Sequence, residues 1–197
     1  MKTLNLIELK KILFLSMSML LVAGAFAQVK YSNKATNLTV SGTSTLHDWD
    51  MKSAQGTCEA TFSFNAAGAL TGISGLSFTT VANSLKSGHD AMDKNAYKAL
   101  KTDKNPSISY TAATGTVSAI NGTDFLVKTT GKLTIAGATL DAQVDATCKV
   151  NADKSITVMG SKKISMKEFS MAPPTFMLGT IKTGNDVTLK FDLSLNK

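Results

Sequence analysis

Apolar residues recur at every second position along most of this chain, the period of a strand with one dry face and one wet face. The cleanest run sets Leu140, Ala142, Val144, Ala146, Cys148 and Val150 against Asp141, Gln143, Asp145, Thr147 and Lys149. A second, at the C-terminal end, sets Val187, Leu189, Phe191, Leu193 and Leu195 on one parity. Cys58, Ala60, Phe62 and Phe64 form a third before turn-forming residues at 65–68. Phe125, Val127, Leu133 and Ile135 face away from Lys128, Lys132 and Thr134. Ile108, Tyr110 and Ala112 lead towards Asn121-Gly122, a strong hairpin-turn dipeptide. Residues 73–85 and 156–166 read as two further strands, the former less regular in facing. With the strand carrying Leu38 and Val40, the pattern predicts eight strands and an all-β fold.

Two features interrupt the alternation. Leu38, Val40 and Leu46 are apolar at even positions and Trp49 and Met51 at odd ones, so the facing switches between Leu46 and Trp49, as at a bulge or corner. Residues 87–103 read instead as a helix: Met92, Ala96, Ala99 and Leu100 share helical spacing, Ser87 or Asp90 caps the start, and Asn105-Pro106 stops it. Eight antiparallel strands with one apolar face each pack as a two-sheet sandwich or close into a barrel. In a barrel, small inward residues such as Ala60, Ala112, Ala142 and Ala146 leave room for a ligand.

Residues 1–27 are set apart. Lys2, Lys10 and Lys11 precede an apolar run over 12–26, and Ala25-Phe26-Ala27 is a small-x-small cleavage pattern, so the expectation is a signal peptide and a periplasmic or secreted chain. The remainder, 28–197, shows no repeat or linker and reads as one domain. Removing the leader takes away three lysines and one glutamate and lowers the formal charge from +7 to +5. All of the positive side chains are lysine, and the lack of arginine argues against a nucleic-acid partner, whose phosphates and guanines are read by the guanidinium fork. The lysine excess fits both a solvated face and transient attraction to an anionic membrane surface.

Candidate chemistry is sparse. His47-Asp48 and His89-Asp90 invite a metal or hydrolase reading, yet there is no third histidine and neighbours on a strand point to opposite faces, so no metal and no catalytic residues are expected. No Gly-x-Ser-x-Gly elbow is present, and Glu59 and Glu168 are the only glutamates after the leader. Cys58 and Cys148 lie on apolar parities; an exported chain makes a disulfide between them reasonable, and two buried free thiols fit equally well. Phe62, Phe64, Phe78, Phe125, Phe169, Phe176 and Met177 either line a ligand cavity or fill a core. Lys162 shares the parity of Ile156, Val158, Ile164 and Met166; a bulge at Gly160 is expected to turn it outward.

Four stretches together resemble the YceI-like family of polyisoprenoid- or lipid-binding periplasmic proteins. They are 41–49, Ser-Gly-Thr-Ser-Thr-Leu-His-Asp-Trp; 92–100, Met-Asp-Lys-Asn-Ala-Tyr-Lys-Ala-Leu, through Pro-Ser-Ile-Ser-Tyr at 106–110; 131–139, Gly-Lys-Leu-Thr-Ile-Ala-Gly-Ala-Thr; and 164–169. The resemblance implies a lipocalin-like eight-stranded antiparallel barrel, with one short helix inserted, that holds an isoprenoid or quinone-like lipid in its lumen without chemistry. No cofactor is then required beyond that bound lipid. The aromatics named above would line the lumen together with Trp49, Ile108, Tyr110, Leu133, Ile135 and Val144. Met92-Asp93, Ala96-Tyr97 and Ile164-Ser165-Met166 depart from the family's Arg-Asp, Phe-Phe and Ile-x-Arg, so no charged ligand contact carries over.

Overall fold

The structure is a computed structural model and describes residues 27–197; the leader read at 1–27 lies, but for Ala27, outside the described residues. Its strands are β1 Ala27–Ser44, β2 Trp49–Ser53, β3 Thr57–Phe64, β4 Leu70–Val81, β5 Ser107–Ala119, β6 Asp124–Ile135, β7 Ala138–Val150, β8 Ile156–Ser165, β9 Thr175–Phe176 and β10 Ile181–Asn196. All pair antiparallel in one sheet. Eight of them close a ring in the order β1-β3-β4-β5-β6-β7-β8-β10, because β10 pairs back onto β1 from Ser32↔Asn196 to Ser44↔Thr183. That last ladder decides between sandwich and barrel: closure leaves the ring no free edge to protect. β2 continues the β3 edge along the far half of β1, and β9 adds two residues beside β10.

The irregular facing of β4 has a local cause. Gly75 sits at φ 57°, where β4 shifts register against β3, and burial moves from Ile73 to Leu76 and Phe78 across it. A left-handed residue in a strand is a bulge that glycine accepts without strain. The strand then ends at Val81, short of the expected Leu85, in a 3₁₀ turn, Ala82–Ser84. The corner expected between Leu46 and Trp49 is a tight turn: Ser44 Oγ accepts from the Leu46 and His47 amides and donates to the His47 carbonyl at 2.7 Å. Leu46 is therefore left largely exposed at the edge of the cavity, while Trp49 and Met51 re-enter the inner face opposite Gly42 and Val40.

The helix α1, Asp90–Leu100, is shorter than its sequence pattern at both ends. His89 occupies the N-cap position without a side-chain cap bond; instead Asp93 reaches back to accept from the Ser87 amide (2.8 Å) and hydroxyl (2.7 Å). Lys101, left-handed at φ 54°, ends the helix before Asn105-Pro106 is reached. Tyr97 donates to the Leu85 carbonyl at 2.8 Å and Lys101 Nζ to the Ser170 carbonyl at 3.0 Å, so α1 is pinned across one end of the barrel. Burial raises the Asp93 carboxyl, but the Ser87 bonds and nearby Lys86 outweigh it and hold it below its ordinary value. Asp93→Ala is accordingly expected to cost about 1–2 kcal/mol, as for a lost helix cap, read as a lower Tm. Because the folded-state pKa is depressed, that contribution is present above the ordinary aspartate range and fades as pH falls through it, so wild type and variant converge in acid.

The interior divides lengthwise. Tyr31, Phe62, Ile156, Leu195 and both cysteines belong to a core cluster at one end, packed but for a small cavity of about 100 Å³. Tyr110, Leu133, Ile135, Ile164, Phe169 and Val187 belong to a second cluster towards α1, with Leu76 and Phe78 packed against both.

Candidate functional site

Between the second cluster and α1 lies a cavity of about 410 Å³, within the range of small-molecule sites. Its wall alternates by the strand period: Leu38 and Val40 from β1, Trp49 and Met51 from β2, Val187 and Leu189 from β10. Helix α1 closes one side with Met92, Ala96, Ala99 and Leu100. The lining is almost wholly apolar; Ser44, His47, His89 and Asn95 are among its few polar members. The smaller cavity of about 100 Å³ lies towards the first cluster, sharing Leu38, Phe78, Ile108 and Leu189 with the larger one. Both are lined by the inner faces of the strands, and those four shared residues stand where they adjoin.

Of the sequence-predicted lining residues, Met177 is exposed and lines neither cavity, and the others separate into four groups. Trp49, Ile135 and Phe176 line the large cavity, Phe62, Tyr110, Leu133 and Val144 the small one, and Phe78 and Ile108 both. Phe125 and Phe169 are buried and Phe64 is half-buried, and all three pack within the core clusters rather than against either cavity. A helix over Met92 to Leu100 that caps or flanks the barrel is what the sequence suggests, whereas the lining supplied by Leu85 and by Met166 and Met171 was not anticipated. The helical spacing of Met92, Ala96, Ala99 and Leu100 was the signal that named an inward face for that helix.

Tyr110 brings a phenol to the wall of the small cavity. Its hydroxyl meets Thr129 Oγ1 at 2.9 Å and reaches the carbonyls of Thr129 and Ala142 at 3.2 Å, and burial pushes its pKa up. A hydroxyl so engaged braces β5, β6 and β7 and presents a ring face to the cavity. Trp49, half-buried, donates from Nε1 to the Thr43 carbonyl at 3.0 Å and turns its apolar edge inward.

One expectation is corrected here, and one open alternative is decided. No bulge occurs at Gly160: β8 runs in unbroken register with β10 from Ile156 to Ser165, so Lys162 keeps the inner parity and lines the small cavity. Gly160 marks a different constraint, since a Cβ there would run into the Phe191 ring. The small cavity's surface is apolar throughout, so Lys162 contributes its methylene stem. Of the two readings of the cysteines, the second holds: Cys58 and Cys148 are buried free thiols on β3 and β7, which stand opposite one another in the ring of eight.

Burial pushes both thiols up to about 12 from an ordinary 9.0, with Glu59 adding to Cys58 and Cys58 adding to Cys148. Neither is a nucleophile. Each pKa is higher folded than unfolded, so the thiols' contribution is complete below the ordinary thiol range and is lost as pH rises towards about 12. The phenols of Tyr31 and Tyr110, raised by burial, act in the same direction. Tm is expected to fall from about pH 9 upward, with both cysteines alkylated in denaturant and neither in the native protein, and with no change in Tm on adding reductant. Rapid native alkylation, or a reductant-sensitive Tm, would contradict this placement.

Comparison with known proteins follows the same lines. The family model described as YceI-like domain matches residues 22–195. Among curated proteins none matches. A polyisoprenoid-binding domain from Saccharophagus degradans, implicated in plant cell wall breakdown, superposes with a TM-score of 0.62 at 16% identity, covering 84% of this chain and 97% of that one. BcnA of Burkholderia cenocepacia gives 0.61 at 16% identity, covering 81% and 95%. The Campylobacter jejuni YceI protein gives 0.50 at 22% identity, covering 73% and 85%. At these identities the likeness concerns the fold, and the family match spans most of the sequence. This chain belongs to the YceI-like domain family.

Proposed function

We propose that this protein is a non-enzymatic, exported binding protein that holds the chain of a long apolar lipid, of isoprenoid or quinone type, in the barrel lumen for carriage or sequestration. The observation that carries the reading is the apolar cavity of about 410 Å³ under α1, adjoined by a second, smaller one. Filling it removes the lipid's methyls and methylenes from water at about 25 cal/mol per Å², without directional contacts. The solved domain from Saccharophagus degradans is described as polyisoprenoid-binding, which supports the ligand class. Family and neighbour favour a binding protein over an enzyme. The leader read at 1–27 supports a periplasmic or secreted location, where a molecule insoluble in water needs an apolar container to cross between membranes.

Organic extraction of the gently purified protein, followed by mass spectrometry, tests this directly. The expected result is a prenyl lipid at close to one per chain. Protein that emerges empty and also takes up no prenyl alcohol from detergent would overturn the reading.

A further inference from the structure

The three most exposed large apolar side chains among the described residues all stand at the open end of the large cavity. Leu178 is 109% exposed, Met177 75% and Leu46 65%. The other exposed large apolar residues, Ile120, Val81 and Met159, reach 57%, 44% and 43%. Leu46 itself lines the cavity, and so do Phe176 and Ile181, which pair across the base of the turn that carries Met177 and Leu178. The Thr45 amide donates to the Lys182 carbonyl at 3.0 Å and the Lys182 amide to Thr45 Oγ1 at 3.1 Å, fastening the Leu46 turn beside that tip.

The tip is held outward at a cost. Met177 and Leu178 both adopt left-handed backbone, φ 48° and 55°, before Gly179 at 89°. Such conformations cost roughly 1 kcal/mol or more for each residue with a Cβ, and a water-exposed Leu gains nothing in return. Exposed Lys182 stands beside the Leu46 turn and exposed Lys94, Lys98 and Lys101 follow α1, with exposed Asp48, Asp90 and Asp103 nearby, in a chain of net positive charge. Exposed apolar tips beside lysines match a bilayer interface, whose acyl boundary takes the former and whose anionic headgroups attract the latter. Among the described residues no helix is long and apolar enough to cross a membrane, so contact of this kind is peripheral.

We infer that this rim is a membrane-docking surface: Met177, Leu178 and Leu46 enter the headgroup region of an anionic bilayer and set the cavity mouth against the lipid it exchanges. The inference rests on the lipid-carrier reading. It assigns the bilayer, rather than a second copy of the chain, as the partner of this patch.

Flotation of the purified protein with vesicles of phosphatidylethanolamine and phosphatidylglycerol, alongside prenyl alcohol uptake from those vesicles and from detergent, tests it. The wild type is expected to float, less so in high salt. Met177→Ser/Leu178→Ser is expected to lose about tenfold or more in vesicle binding and in uptake from vesicles, the loss due from two apolar side chains kept out of the bilayer, with uptake from detergent unchanged. Leu46→Ser should weaken flotation further. Normal uptake from detergent without flotation of the wild type overturns the docking inference alone, as does a double serine variant that floats like the wild type. A patch that instead drives self-association, dissolved by the serine variant while vesicle binding persists, also overturns it. Failure of uptake from detergent strikes the carrier reading beneath it.

Discussion

Replacing Ala96 and Ala99 together with Phe is expected to give a protein that folds like its parent and holds no lipid. Both alanines are half-buried on α1 and face the large cavity, so two rings project into a volume of about 410 Å³. Overpacking a filled core costs typically about 1–3 kcal/mol because neighbours have nowhere to go; here the added atoms enter a void. The weaker helix propensity of Phe subtracts about 0.5 kcal/mol at each position and new apolar contacts offset it. Lipid content by mass spectrometry and Tm by thermal unfolding separate the two effects. Loading equal to the wild type would mean that lipid does not occupy this space.

Phe62→Ala is expected to do the reverse, lowering stability sharply while leaving the large cavity intact. Phe62 is 1% exposed in the first core cluster and meets Tyr31 edge to face, with ring centroids 5.4 Å apart and an interplanar angle of 87°. Truncating a buried Phe costs about 3–5 kcal/mol. At roughly 2–4 °C per kcal/mol for a domain of this size, Tm should drop by roughly 6–20 °C. Below the new Tm, prenyl alcohol binding should persist, because Phe62 lines only the small inner cavity. An unchanged Tm would contradict the division of the interior into a supporting core and a binding half.

The inner face of the barrel was legible wherever a strand runs without a bulge. In β7 and β10 the alternation of apolar and polar residues is matched by burial, with Ala142, Ala146, Cys148, Val187, Leu193 and Leu195 all buried. The same period suits a sandwich, so closure follows only from the β1–β10 ladder, a long-range pairing that residue period does not encode. β4 hid its facing twice over: left-handed Gly75 inverts the parity ahead of Leu76, and Val81 is exposed at the strand's end while Leu85 is buried only after a 3₁₀ turn. Lys162 misled for a related reason. A lysine on an inward parity signals a bulge only if its ammonium must be buried, and a long stem makes that unnecessary.

The cavity's lining was legible on the strands and poorly so elsewhere. Aromatic size alone does not distinguish Phe78, which lines both cavities, from Phe125, which sits in the core beside Val127. The helix contributes small residues, Ala96 and Ala99, whose importance is the space they leave. His47 and Trp49 illustrate the difference between proximity and chemistry. His47 is exposed and its Nδ1 lies 2.7 Å from the Asp48 carbonyl, while Trp49 two residues on carries the apolar contact at the cavity mouth.

That placement makes the single tryptophan a reporter of occupancy. Titration of lipid-free protein with a prenyl alcohol, followed by Trp49 fluorescence, should shift the emission to shorter wavelength and saturate at one ligand per chain as the half-exposed indole is covered. The Ala96→Phe/Ala99→Phe variant should show no saturable change. An emission that never moves, or one that moves identically in wild type and filled variant, would contradict a lipid held in this lumen.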